Sequence, residues 1–69
     1  MKITIAKKIK EYRQKKQITQ KELSKLLGIS PQAISKWERE QGYPDITMLP
    51  FIADLLGCSI SDFFRENNN

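Results

Sequence analysis

Between Ser30 and Arg39 the chain reads SPQAISKWER, and the spacing divides these side chains into two sets. Ile34 and Trp37 stand three apart, on one face of a helix. Gln32, Ala33, Ser35 and Lys36 fall on the opposite face. Those residue types carry the chemistry of base-edge recognition. A glutamine amide can bond adenine in a bidentate manner, a lysine can donate to guanine, and an alanine can touch a thymine methyl. Gln32 and Lys36 are therefore the candidate base contacts, with Ala33 and Pro31 as apolar neighbours. Ordinary solvated side chains would show the same types, so the surrounding elements must decide.

Other chemistries find little support. The chain has no histidine and one cysteine, Cys58, so no intrachain disulfide or zinc site is expected. General acid–base catalysis loses its commonest agent, and the carboxylates sit in no recognisable catalytic motif. No enzyme and no cofactor are expected. Cys58 reads as a small apolar residue and Trp37 as core rather than a stacking platform.

At 69 residues the chain holds one domain, marginal in size unless its helices pack well or a second copy helps. The charge is unevenly placed. Residues 1–36 carry ten Lys or Arg and two acids, a net +8, whereas residues 37–69 carry two basic residues and six acids, a net −4. Such polarity can present a positive side to a polyanion. The apolar run Ile3–Ala6 is too short for a signal peptide, and Leu49–Ala53 is too short to span a membrane. A cytoplasmic location without membrane contact is expected.

Caps and breakers divide the chain into five helices. Thr4 can cap the first, whose inner face carries Ile5, Ile9 and Tyr12. Thr19 and Glu22 form a capping box for the second, with an inner stripe of Leu23, Leu26 and Leu27 and a stop at Gly28. Ser30 caps the third, with Pro31 at its first position. Gly42, Tyr43 and Pro44 form a loop. Thr47 would cap a fourth helix that tolerates Pro50 in its first turn, after a tight turn at Ile46–Leu49, and Gly57 ends it. Ser59 and Asp62 would box a short fifth helix bearing Phe63 and Phe64. Two adjacent aromatics cannot easily both face inward, so one could sit at a dimer contact. Residues 1–66 are read as the domain and 67–69 as a disordered tail.

Within Gln20–Trp37 two short helices meet at Gly28, with Leu23, Leu27, Ile29, Ile34 and Trp37 placed to pack them together and Ser24 small enough for a close crossing. That is the logic of a helix-turn-helix, in which the second helix, here about 31–39, enters the major groove. From Ile5 to Phe64 the chain resembles the Cro/phage-repressor type of helix-turn-helix domain (lambda-repressor-like, XRE family). The matching pieces are IAKKIKEYR, ITQKELSKLLGIS, ISKWE and YPDITMLPFIADLLGCSISDFF. The resemblance implies a compact all-α, five-helix bundle serving as a sequence-specific transcription regulator.

It also implies roles. Gln20 matches a position that clamps the DNA backbone, beside Thr19 at a helix N-terminus suited to an anion. Ser30, Ser35 and Arg39 are further phosphate candidates, and Tyr43 could donate its hydroxyl or pack on Pro44. Arg13 and Glu38 match a pair that bridges the first helix to the end of the reading helix. Gln17 and Glu40 depart from the pattern, standing where the family often has glycine, so those helix ends are expected to be frayed or differently wound. The expected partner is double-stranded DNA, bound as a homodimer on a palindromic site by a repressor. The alternatives are an antitoxin-type autoregulator that also binds a partner protein, and an interaction module without DNA.

Overall fold

A computed structural model describes residues 4–64. Four α-helices follow in order: α1 (Ile5–Lys16), α2 (Gln20–Leu27), α3 (Pro31–Glu38) and α4 (Leu49–Leu56). A 3-10 turn (Ile46–Met48) leads into α4, and a 3-10 helix (Ile60–Phe64) closes the described chain. The all-helical expectation holds, and no strand occurs among the described residues. The fifth helix does not form as an α-helix. Its segment is five residues long and wound 3-10, the form short helical pieces often take.

The four α-helices end in one way. Two residues past α1, α2 and α4, and three past α3, an amide reaches back over a full turn: Ile18 to Arg13, Ile29 to Ser24, Gln41 to Lys36 and Cys58 to Ala53, all at 2.9–3.0 Å. This closure needs a left-handed residue. Gly28 (φ 71°) and Gly57 (φ 76°) supply it at two ends, Gln17 (φ 57°) and Glu40 (φ 59°) at the others. The expectation that the ends at Gln17 and Glu40 are frayed or differently wound is thus corrected: both close as the glycine ends do. The hydrogen-bonded closure holds both in a conformation that costs a side-chain-bearing residue about 1–2 kcal/mol.

The core is built from Ile5 and Ile9 of α1, Leu23 and Leu27 of α2, Ile34 and Trp37 of α3, Leu49 and Ile52 of α4, and Phe63. Leu26, assigned to the inner stripe of α2, instead lies 53% exposed. A helix of eight residues turns Leu23 and Leu27 onto one line, which puts Leu26 at its edge. The adjacent aromatics divide as their geometry requires, Phe63 fully buried and Phe64 partly so. Cys58 is half-buried against the core, and burial pushes its thiol pKa up, partly opposed by Lys8 and reinforced by Asp62.

Three caps differ from expectation. Thr4 precedes α1, but its hydroxyl makes no cap bond there. It donates to the Asp62 carbonyl at 2.9 Å, while the Thr4 amide donates to the Phe63 carbonyl at 2.7 Å. Met48, not Thr47, precedes α4. The short-range cap is made one turn earlier, where Asp45 Oδ1 accepts from the Thr47 amide at 3.2 Å. Of the Ser59–Asp62 box, the bond from the Ser59 amide to Asp62 Oδ2 is present at 3.0 Å, and the Asp62 amide turns to the Ser59 carbonyl. The expected tail at 67–69 lies outside the described residues.

Candidate nucleic-acid interface

α3 is placed by its buried side. Ile34 is fully enclosed and Trp37 nearly so, which turns Gln32 and Lys36 outward, both exposed. Pro31, Ala33 and Ser35 are half-buried at the edges of this face. Ser30 starts the helix, its Oγ accepting from the Ala33 amide at 3.2 Å, and Pro31 follows where no helical N–H is needed. Ser24 of α2 is buried without a polar debt, because its hydroxyl donates to the Lys21 carbonyl at 2.6 Å.

At the far end of α3, Glu38 joins three helices. Arg13 of α1 donates from Nε to Glu38 Oε2 at 2.6 Å and from Nη2 to Oε1 at 2.8 Å, a two-pronged guanidinium–carboxylate pair. Its Nη1 donates to the Ile18 carbonyl at 3.1 Å, pinning the linker into α2. Gln20 of α2 donates from Nε2 to the same Oε1 at 3.1 Å. The Glu38 side chain is only 5% exposed and that of Arg13 20%. Burial alone would raise the Glu38 pKa. The hydrogen bonds from Arg13 and Gln20, with the charges of Arg13 and Lys10, outweigh it and hold the carboxyl below its ordinary range. The Arg13 pKa moves the other way, raised by its bond to Glu38 against the opposing effect of burial.

The N-terminus of α2 is crowded. Thr19 Oγ1 accepts from the Glu22 amide at 3.0 Å, and Glu22 Oε1 accepts from the Thr19 amide at 2.8 Å. The capping box therefore sets a carboxylate beside the helix start and takes up the Thr19 N–H, while the Thr19 hydroxyl proton is not used in it. Gln20 is half-buried with one amide hydrogen given to Glu38. Exposed Arg39 folds back, donating from Nε to the Ser35 carbonyl at 3.3 Å, and so caps α3. Tyr43 stands 57% exposed beyond the α3 loop, beside Pro44.

Two features escape a sequence reading. The Gln20–Glu38 bond joins residues eighteen apart, and no local pattern signals it. An apolar groove of about 200 Å³ is lined by Ile5, Tyr43, Pro44, Ile46, Leu49, Phe63 and Phe64. Its only sequence signal is the surplus of large apolar residues after Gly42. No group of metal-ligating side chains occurs among the described residues, and no helix there is long and apolar enough to cross a membrane.

Comparison with known proteins agrees with this geometry. The profile of the helix-turn-helix family matches residues 9–63. The transcriptional activator BcrR of Enterococcus faecalis is 36% identical over 55 residues, covering 80% of this chain and 27% of BcrR. The transcriptional regulator PuuR of Escherichia coli is 33% identical over 60 residues, covering 87% of this chain and 32% of PuuR, and PuuR of Shigella flexneri aligns equally. The chain thus spans about a third of the length of these curated relatives. No solved structure matches significantly. With two buried-faced helices meeting at Gly28 and the family profile running through α2 and α3, the chain belongs to the helix-turn-helix family.

Proposed function

We propose that this chain is a DNA-binding domain of a cytoplasmic transcription regulator, a repressor, that reads the major groove with α3. The observation that carries the reading is the division of α3. Ile34 and Trp37 anchor it while Gln32 and Lys36 project together from the opposite face. Gln32 and Lys36 contact base edges, with Pro31 and Ala33 as apolar neighbours. Thr19 and Gln20 at the start of α2, with Ser30, Ser35, Arg39 and Tyr43, contact phosphates. Arg13 and Glu38 keep the reader at a fixed angle to α1.

A homodimer sets two readers about 34 Å apart on a palindromic site. The groove between Tyr43 and Phe64 is the candidate contact between copies. A standard interface buries about 800 Å² per partner, whereas the chain exposes 4798 Å² in all. A standard contact would thus take about a sixth of this surface. The same exposed apolar groove favours the second reading, an autoregulator that also docks a partner protein.

Selection from random duplexes, with affinity measured at two salt concentrations, tests the reading. An enriched palindrome whose binding is lost in Gln32→Ala or Lys36→Ala is the expected result. Steep salt dependence without enrichment would leave only phosphate neutralisation by a basic surface. No binding at low salt would sink the DNA reading and leave partner docking.

A further inference from the structure

The Gln20 carboxamide has a fixed polarity. Glu38, with its pKa held low, is ionised at neutral pH and can only accept hydrogen bonds. The Gln20 carbonyl oxygen would be repelled from it, so Nε2 must face Glu38 Oε1, as it does at 3.1 Å. Glu38 cannot swing away, because both its oxygens are held by Arg13. Arg13 in turn grips the Ile18 carbonyl, two residues before Gln20. The carboxamide is thus referenced to α1, to the linker and to α3. Its nitrogen carries a second hydrogen, which Glu38 does not use and which points away from that carboxylate.

We propose that Glu38 is a positioning residue for phosphate binding: it orients the Gln20 carboxamide so that the second Nε2 hydrogen, and not the carbonyl, meets a DNA phosphate at the start of α2. A phosphate oxygen accepts only, so an amide free to turn would present the wrong end part of the time and lose rotamer freedom on binding. The lock removes both penalties before DNA arrives. The inference rests on the DNA-binding reading above.

A short random-sequence duplex is a sufficient probe, because phosphate contacts carry no base information. Its affinity would be measured for the native chain, Gln20→Ala, Glu38→Gln and the double variant. Gln20→Ala should lose about tenfold, the order expected for a hydrogen bond to a charged group. Glu38→Gln, whose carboxamide offers both a donor and an acceptor end, should lose about two- to tenfold, the range for ordering one side chain. In the Gln20→Ala background Glu38→Gln should cost clearly less, because only its hold on α3 through Arg13 is then lost. Equal losses in both backgrounds would mean that Glu38 acts only by holding α3, and would overturn the proposal. Should Glu38→Gln not fold, the native chain decides by NMR. The Gln20 side-chain proton not held by Glu38 should move downfield on adding duplex while its partner stays. Binding with neither proton moving overturns the proposal and leaves the DNA reading standing; no binding by the native chain removes both.

Discussion

Residues 5–38 and residues 43–64 each contribute aliphatic side chains to one core, yet they treat their surfaces differently. In the first region the polar groups are tied down: Thr19 with Glu22, Ser30 with the Ala33 amide, and Arg13, Gln20 and Glu38 with one another. Leu26 is its one large exposed apolar residue among those described. In the second region Tyr43, Ile46, Phe51 and Ile60 are all exposed, and the only charged residues are the acids Asp45, Asp54 and Asp62. One body therefore carries an ordered polar and basic side and an apolar, acidic side. A polyanion suits the first, a protein surface the second.

The sharpest way to break this contrast is through the core the regions share. Phe63→Ala empties a fully buried site in the second region, and should cost about 3–5 kcal/mol. A domain this small has little reserve, so thermal melting should show most of the chain unfolded at room temperature, α1–α3 included. A folded α1–α3 remaining in that variant would show that the first region stands alone.

Next in size is the polar junction. Glu38→Ala leaves the Arg13 guanidinium and the Gln20 amide facing an empty site, and because Arg13 keeps some solvent the cost should be about 2–3 kcal/mol, below that of fully buried pairs. The pH dependence follows from sign. The folded-state pKa of Glu38 is depressed, so its contribution is complete above the unfolded carboxylate value of about 4.3. It is lost as pH falls through the folded value. Urea midpoints taken on acidification should fall more steeply for the native chain than for Glu38→Gln, and parallel curves would refute the assignment.

The outline of this arrangement was legible in the sequence because capping and helix-end signals are local. Thr19 and Glu22, Ser30 and Pro31, Gly28 and Gly57 each mark a boundary within a few residues, and each boundary stands where those types placed it. The Arg13–Glu38 pair came from family resemblance, not from any rule of spacing. What escaped reading is non-local. Thr4 has a cap's chemistry, but its partner lies 58 residues away. Leu26 satisfies helical periodicity, yet exposure depends on what packs beside α2. The cap at Thr47 failed for a local reason instead: Asp45 caps the tight turn at Ile46–Met48, and α4 follows it with no side-chain cap of its own.

A smaller effect tests the helix ends, where both regions use one closure. No atom lies within 4 Å of a Cβ built on Gly28 or Gly57, so alanine there should cost about 1 kcal/mol from backbone strain alone. The reverse changes, Gln17→Gly and Glu40→Gly, should stabilise by about 0.5–1 kcal/mol in thermal melts, reduced by the added freedom of the unfolded chain. The smallest change in stability is expected at Ile46, which is 76% exposed. Ile46→Ser should shift stability by less than about 0.5 kcal/mol, yet weaken paired occupancy of a palindrome relative to a half-site. Unchanged pairing would detach the groove from dimer formation.

The clasp of Thr4 on Asp62 and Phe63 has a consequence for synthesis. Its two hydrogen bonds sew the start of α1 to the last described helix. During translation α1 leaves the ribosome before the domain's other helices, but its fastening arrives only when Phe63 has been made and has cleared the exit tunnel. Until then the core that holds Ile5 and Ile9 lacks Phe63, and the emerging chain must wait with part of that core unmade. Closing so long a loop adds little entropy beyond a short one, since the cost grows only with the logarithm of length. The domain should therefore lock late and in a single step, around a seam between its ends.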